Sequence, residues 1–215
     1  MKRIFLTIVL ITGLVIYSLA QSDSNPLDKK TYFGVYAGIG FINPTEINDQ
    51  LISYSSNHSI VYNWGDGNIN LAYMLGLGVD HFFSKNIEIK GQLELGLGYK
   101  YVVITNGGNY FNSLFRLSGG AYSNLHTYLK NSNSIFLGGG VNINSLSLSA
   151  FDRSITGKST PIGFSFQVGL RNWNHNYSYE IQVHIIKGEN TDISQSYPVS
   201  ELSFTGATLK VGYKF

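Results

Sequence analysis

The sequence predicts an all-β fold, an eight-stranded antiparallel up-and-down transmembrane β-barrel with an N-terminal signal peptide. Three observations predict it: hydrophobicity alternating with a period of two over most of the chain, tight polar turns alternating with longer connections, and an apolar leader ending in a processing site. Composition agrees. Of 215 residues 13% are charged, about half the share usual in a soluble domain, while 14% are aromatic and 24 are glycine.

The leader comes first. Lys2 and Arg3 precede an apolar run from Ile4 to Tyr17, and Ser18-Leu19-Ala20 supplies small residues at a cleavage site. This divides the chain into a signal peptide at 1–20, a periplasmic N-terminal segment at 21–30 and a barrel domain at 31–215. Losing Lys2 and Arg3 leaves thirteen basic residues against thirteen acidic ones. That neutrality argues against nucleic acid as a partner. A hydrophobic share of 43% argues against disorder. With no cysteine there is neither a disulfide nor a lipid-attachment site, and beyond the leader no apolar run approaches the length of a spanning helix.

The strands follow in order. Residues 32–42 alternate, and in 70–82 Leu71, Tyr73, Leu75, Leu77 and Val79 oppose a polar or small set. The clearest segment sets Ile87, Ile89, Leu93, Leu95, Leu97, Tyr99 and Tyr101 against Glu88, Lys90, Gln92, Glu94 and Lys100. Residues 113–128 and 135–148 come next, the latter with a phase slip near Ser145 that suggests a bulge. In 162–171 Phe164, Phe166 and Val168 face away from Ser165, Gln167 and Arg171; in 177–185 the pattern repeats around Glu180, Gln182 and His184. The last strand carries Leu209, Val211, Tyr213 and Phe215 on one face and Lys210 and Lys214 on the other.

Tight turns are expected near Ser84-Lys85-Asn86, Lys130 to Asn133 and Asn172 to His175, and long connections at about 43–69, 102–112, 149–160 and 187–201. Short turns at one end and long loops at the other suit an outer-membrane barrel, whose even strand count leaves both mature termini in the periplasm. In the first long connection Asn43-Pro44-Thr45-Glu46 signals a short helix through Tyr54, with Ile47, Leu51 and Tyr54 on one face, at the barrel rim or the lipid interface. Beyond it, Tyr62 and Trp64 are the candidate loop contacts for a partner.

A soluble eight-stranded cup would place its apolar face inward. Here the polar face mixes long charged side chains with glycine, which suits a narrow packed interior, so the apolar face is expected to meet lipid. Phe33, Tyr177, Tyr179, Tyr213 and Phe215 form one expected aromatic girdle, joined by Phe83 and Trp173, and Tyr73, Tyr99, Tyr101 and Phe115 the other. On these features the chain resembles the small outer-membrane β-barrel proteins of Gram-negative bacteria, the OmpA-like membrane domains and PorT-like barrels. The resemblance implies that Leu209, Val211, Tyr213 and Phe215 act as an insertion signal for the barrel-insertion machinery, and that outer-membrane lipid is a partner. PorT-like relatives belong to secretion systems, but no residue here singles out that role.

Eight strands leave room for little but side chains. Glu88, Lys90, Glu94, Arg116, Arg171, Glu180, His184 and Lys210 are therefore expected to form a lumen polar network, with Glu180 and Lys210 as its leading ion pair. This predicts a filled, non-conducting lumen and a structural or surface-recognition role; the alternatives are a lipid A-modifying enzyme or a narrow channel. None of His58, His81, His126, His175 and His184 stands in a recognisable deacylase-like pattern, so no catalytic residue is assigned. No cofactor or metal site is expected either, since Gly138-Gly139-Gly140 lacks a following Lys-Ser/Thr and no helix carries ligand spacing.

Overall fold

Period-two sequence becomes strand throughout the computed structural model, which describes residues 31–58, 60, 68–84, 86–103, 109–129, 132–151, 153–191 and 200–215. The elements are β1 (Thr31–Asn43), α1 (Thr45–Asn57), β2 (Leu71–Phe82), β3 (Ile87–Val103), β4 (Asn109–Tyr128), β5 (Asn133–Ala150), β6 (Ile155–Ser159), β7 (Ile162–Asn172), β8 (Tyr177–Ile186) and β9 (Phe204–Lys214). Each strand pairs antiparallel with its neighbour, and β9 returns to β1. The closing seam runs to the last residue, where Phe33 and Phe215 exchange backbone hydrogen bonds at 3.0 and 2.8 Å. Closure leaves no open edge for lipid to meet.

β6 is not a ninth stave. It continues β7 beyond Pro161, and both keep odd residues inward. Proline has no N–H to give to the ladder, so the strand is named in two pieces, while the Pro161 carbonyl accepts from Asn144 N at 2.9 Å. The register fixes the barrel's shape. Following partners from Phe33 through Val79, Gly91, Ala121, Val141, Phe164, Ile185 and Thr205 returns to β1 at Asn43, a shear of ten residues. Such a shear on eight strands implies a tilt of roughly 40° and an interior only side chains can fill.

Every outward residue from Ile162 to Leu170 on β7 and from Tyr177 to Ile185 on β8 is apolar. At about 3.3 Å per residue and this tilt, those runs cover about 23 Å of barrel height, close to the ~25 Å apolar band of membrane barrels. Inside that band sit glycines and polar groups. Tyr36 lies flat between neighbouring strands because Gly78 and Gly212 leave the space; a Cβ there would fall 2.8 and 2.6 Å from its ring.

Two connections differ from expectation. Much of 149–160 pairs as a hairpin, with Ser149 opposite Thr156 and Ala150 opposite Ile155, and β3 and β4 extend to Val103 and Asn109, so the 102–112 connection is also short. The slip at Ser145 is not a bulge either. Pairing of β4 with β5 runs unbroken from Ser113 opposite Ser149 to Tyr128 opposite Ser134. What changes is the surroundings: Val141 and Ile143 face outward, but above them Ser145, Ser147 and Ser149 face outward and Leu146, Leu148 and Ala150 inward. The strand has left the hydrocarbon and behaves as a soluble barrel, wet outside and apolar inside.

That upper interior is an apolar cap. Ile47 and Leu51 of α1 are fully buried against Ile69, Leu114, Leu148 and Phe151. Thus α1 lies in the barrel mouth rather than on lipid. Its first turn is not closed by a capping box, because Asn43 still pairs within β1; Glu46 instead accepts from the Glu201 N–H at 3.2 Å and from the Ser200 hydroxyl.

Candidate functional site

The lumen is built in layers because inward residues recur at every second position on eight tilted staves. At the end carrying Thr31 and Phe215, Tyr32, Phe82 and Trp173 pack edge to face with centroids 5.4–6.0 Å apart, and Tyr128 stacks on Trp173 at 5.8 Å. Trp173 therefore belongs to the interior and not to the outward girdle expected of it. It keeps the inward phase of Arg171, whose guanidinium lies 4.2 Å from the Trp173 ring and 4.4 Å from Tyr32.

The next layer is charged. Arg171 reaches Asp80 at 3.3 Å and Glu88 at 3.6 Å, and Lys214 also pairs with Asp80 while donating to the Tyr36 hydroxyl. Lys90 pairs with Glu180 at 2.6 Å. Above it, Lys210 meets Glu94 and the Gln182 side-chain Oε1, and Arg116 lies 3.8 Å from Glu94 while donating to Asn144 Oδ1 at 2.8 Å. The Glu180–Lys210 ion pair expected from the sequence does not form. Those residues are register neighbours on β8 and β9, but each long side chain crosses the lumen to an opposite charge on β3.

His184 accepts or donates at Ser165 Oγ, 2.9 Å from Nδ1, and that hydroxyl takes a 2.7 Å bond from Asn142. All eight residues singled out from the sequence are buried in this lumen. Three more were passed over. Asp80 and Lys214 sit at inward positions of β2 and β9, and their strand parity alone marks them as lumen residues; His126 sits likewise on β4. With them the described lumen holds five basic residues, Lys90, Arg116, Arg171, Lys210 and Lys214, and four acidic ones, Asp80, Glu88, Glu94 and Glu180. Each carboxylate has a basic partner, the condition under which buried charge is tolerated.

One grouping has the parts of a hydrolytic triad. His126 places Nε2 2.6 Å from Glu88 and Nδ1 3.1 Å from Ser134 Oγ. Ser134 is fully buried, though, and its oxygen also accepts from Trp173 Nε1 at 3.0 Å. Beneath the cap a cavity of about 20 Å³ lies among Ile42, Met74, Leu114, Arg116, His184 and Phe204, room for roughly one water. The described residues include no group of three His, Cys, Asp or Glu able to hold a metal. Tyr62 and Trp64, the candidate loop contacts, lie outside the described residues, as do the expected signal peptide at 1–20 and residues 21–30.

A closed eight-stranded sheet with an apolar belt and a filled, charge-paired interior defines a small transmembrane β-barrel of the outer-membrane type. No family model matches the chain, and no curated protein does. Among solved structures it is similar to Neisserial surface protein A, at 11% identity over 86% of this chain and 97% of that one, with a TM-score of 0.47. It is similar to AlkL in lipid bilayers at 14% identity over 90% and 94%, TM-score 0.48. The outer membrane enzyme PagL matches at 15% over 84% and 98%, TM-score 0.41. At such identities the likeness is one of fold.

Proposed function

We propose that this protein is a non-conducting, non-enzymatic outer-membrane barrel that serves a structural or surface-recognition role through its loop end. The observation that carries the reading is the continuous filling of the lumen, from the Trp173 plug through the paired charges to the α1 cap. A conduit would need a connected wet path, and the cavity beneath the cap has a volume of about 20 Å³. Catalysis at Ser134 would need substrate to reach a hydroxyl sealed behind Trp173 and the barrel wall.

In this reading both termini face the periplasm and the loop end faces outward. The last strand, with Leu209, Val211, Tyr213 and Phe215 on its lipid face, is what the barrel-insertion machinery recognises. The experiment is twofold. Purified protein in planar bilayers should give no discrete conductance steps, and a tag placed in the 187–203 connection should be accessible to antibody on intact cells. Reproducible single-channel steps that change in Lys210→Ala would replace this reading with a channel.

A further inference from the structure

Above the apolar band, the outer surface divides into two unlike halves. On β5 and β6 the outward residues are Ser145, Ser147, Ser149, Thr156 and Lys158, followed by Thr160 just past β6. On β2 to β4 aromatics predominate, with Ser113 and Asn109 of β4 the polar exceptions. Tyr73, Tyr99 and Phe111 form a stacked ladder with centroids 5.8 and 5.5 Å apart, and Tyr101 stands opposite Phe111 in register. Tyr101 and Phe111 are 53% and 49% exposed.

The change is abrupt. Phe115 on β4 pairs directly with Ser147 on β5. Phe111 lies four residues farther up β4 than Phe115, so it and Tyr101 stand about 10 Å along the barrel axis beyond the level where β5 has already turned to serine. At the opposite end the asymmetry reverses. Outward Ser123 and Thr127 interrupt the apolar face of β4, whereas β8 and β9, across the barrel, stay aromatic to Tyr177, Tyr213 and Phe215.

An apolar belt that rises on one side and falls on the other is the belt of a tilted cylinder. The ladder is continuous with the lipid-facing band through Tyr73, which pairs with Leu97 and Ile39. We propose that the barrel axis is inclined in the bilayer, so that lipid covers the β2–β4 face up to Tyr101 and Phe111 while Ser147 and Lys158 stand in water. The partner of this aromatic surface is the leaflet at the loop end, whose chain and headgroup boundary suits rings with one apolar body and one polar tip. The inference depends on the barrel spanning a membrane and not on what its loops recognise.

The chain has no cysteine, so single spin labels can be placed in the full-length protein without background. Tyr101→Cys, Phe111→Cys, Ser147→Cys and Lys158→Cys are reconstituted in dimyristoylphosphatidylcholine vesicles at high dilution, each first shown to fold by its heat-dependent gel shift. Collision with oxygen and with a water-soluble nickel chelate is then measured. Labels at 101 and 111 should favour oxygen several-fold, and labels at 147 and 158 should favour the chelate. If 101 and 111 collide with the chelate as freely as 147 does, the rings are in water and the tilt is refuted. If they are shielded from both reagents, a second copy covers them, and lipid is the wrong occupant.

Discussion

Lys90 on β3 and Glu180 on β8 face each other across the full width of the barrel, with Nζ 2.6 Å from Oε2 and both side chains about 1% exposed. The pair ties together staves that share no backbone hydrogen bond. It also has company: Lys90 Nζ lies 4.5 Å from the centre of the Tyr36 ring and Lys214 Nζ 4.2 Å from it. Glu180 is the carboxylate in direct contact with this enclosed charge.

Breaking the pair should therefore cost more than losing it. Lys90→Met or Glu180→Gln alone should lower the free energy of unfolding by about 3–5 kcal/mol, since each leaves a buried polar group without its counter-charge. The double variant Lys90→Met/Glu180→Leu should recover a large part of that loss. Urea unfolding of vesicle-bound protein gives the numbers. Single variants within about 1 kcal/mol of wild type, the value of an exposed pair, would show that water enters this layer.

The polarity inversion on β5 makes a prediction that depends on height. Val141→Arg or Leu137→Arg, on the lipid face, should cost about 2–4 kcal/mol, whereas Ser147→Arg should cost roughly nothing because that face is wet. Inward, Leu148→Ala should cost about 2–5 kcal/mol by opening a cavity in the cap. An equal penalty for arginine at 141 and 147 would move the membrane boundary above the serine run.

Much of this fold could be read from the residues, and the departures have physical causes. Strands such as 87–101, 162–171 and 177–185 sit wholly where lipid is outside and side chains inside, so one alternation describes them. β5 crosses the boundary. Its pleat never breaks, yet the solvent on each face exchanges beyond Ile143, which in sequence looks like a slipped phase. The network residues were legible by parity, while their pairing was not: adjacency in register puts Glu180 beside Lys210, but side chains of this length span a narrow lumen and find charges on the far wall. Trp173 looked like a girdle residue because it is aromatic and near a turn, and only the inward phase of its strand sends it into the plug.

The cap packs as a cluster distinct from the aromatic plug. Leu51 is fully buried among loop-end residues, while the paired charges and the Trp173 plug lie in other layers. Leu51→Ala removes a large side chain from a dry site, worth about 2–5 kcal/mol of local stability. Limited proteolysis should then cut faster within residues 44–70, with the barrel's heat-dependent gel shift unchanged. Loss of the gel shift itself would mean that cap and barrel unfold together.

The Ser134–His126–Glu88 grouping invites a chemical test because its distances suit hydrogen bonds but its setting does not suit substrate. The hydroxyl accepts from Trp173 Nε1, the histidine presents Nδ1 to it, and the aromatic plug covers the approach from the terminal end. A nucleophilic serine must expose its oxygen to an acyl carbon and place donors around the developing oxyanion. A fluorophosphonate probe should therefore leave Ser134 unlabelled in folded protein, and Trp173→Phe, which removes the indole donor but keeps a ring, should not create labelling. Ser134→Ala should act through stability alone, leaving the buried Trp173 Nε1–H without an acceptor and His126 Nδ1 without its hydroxyl partner at a cost of about 1–3 kcal/mol. Stoichiometric labelling of Ser134 in wild type, abolished by His126→Gln, would make this layer an active site and overturn the non-enzymatic reading.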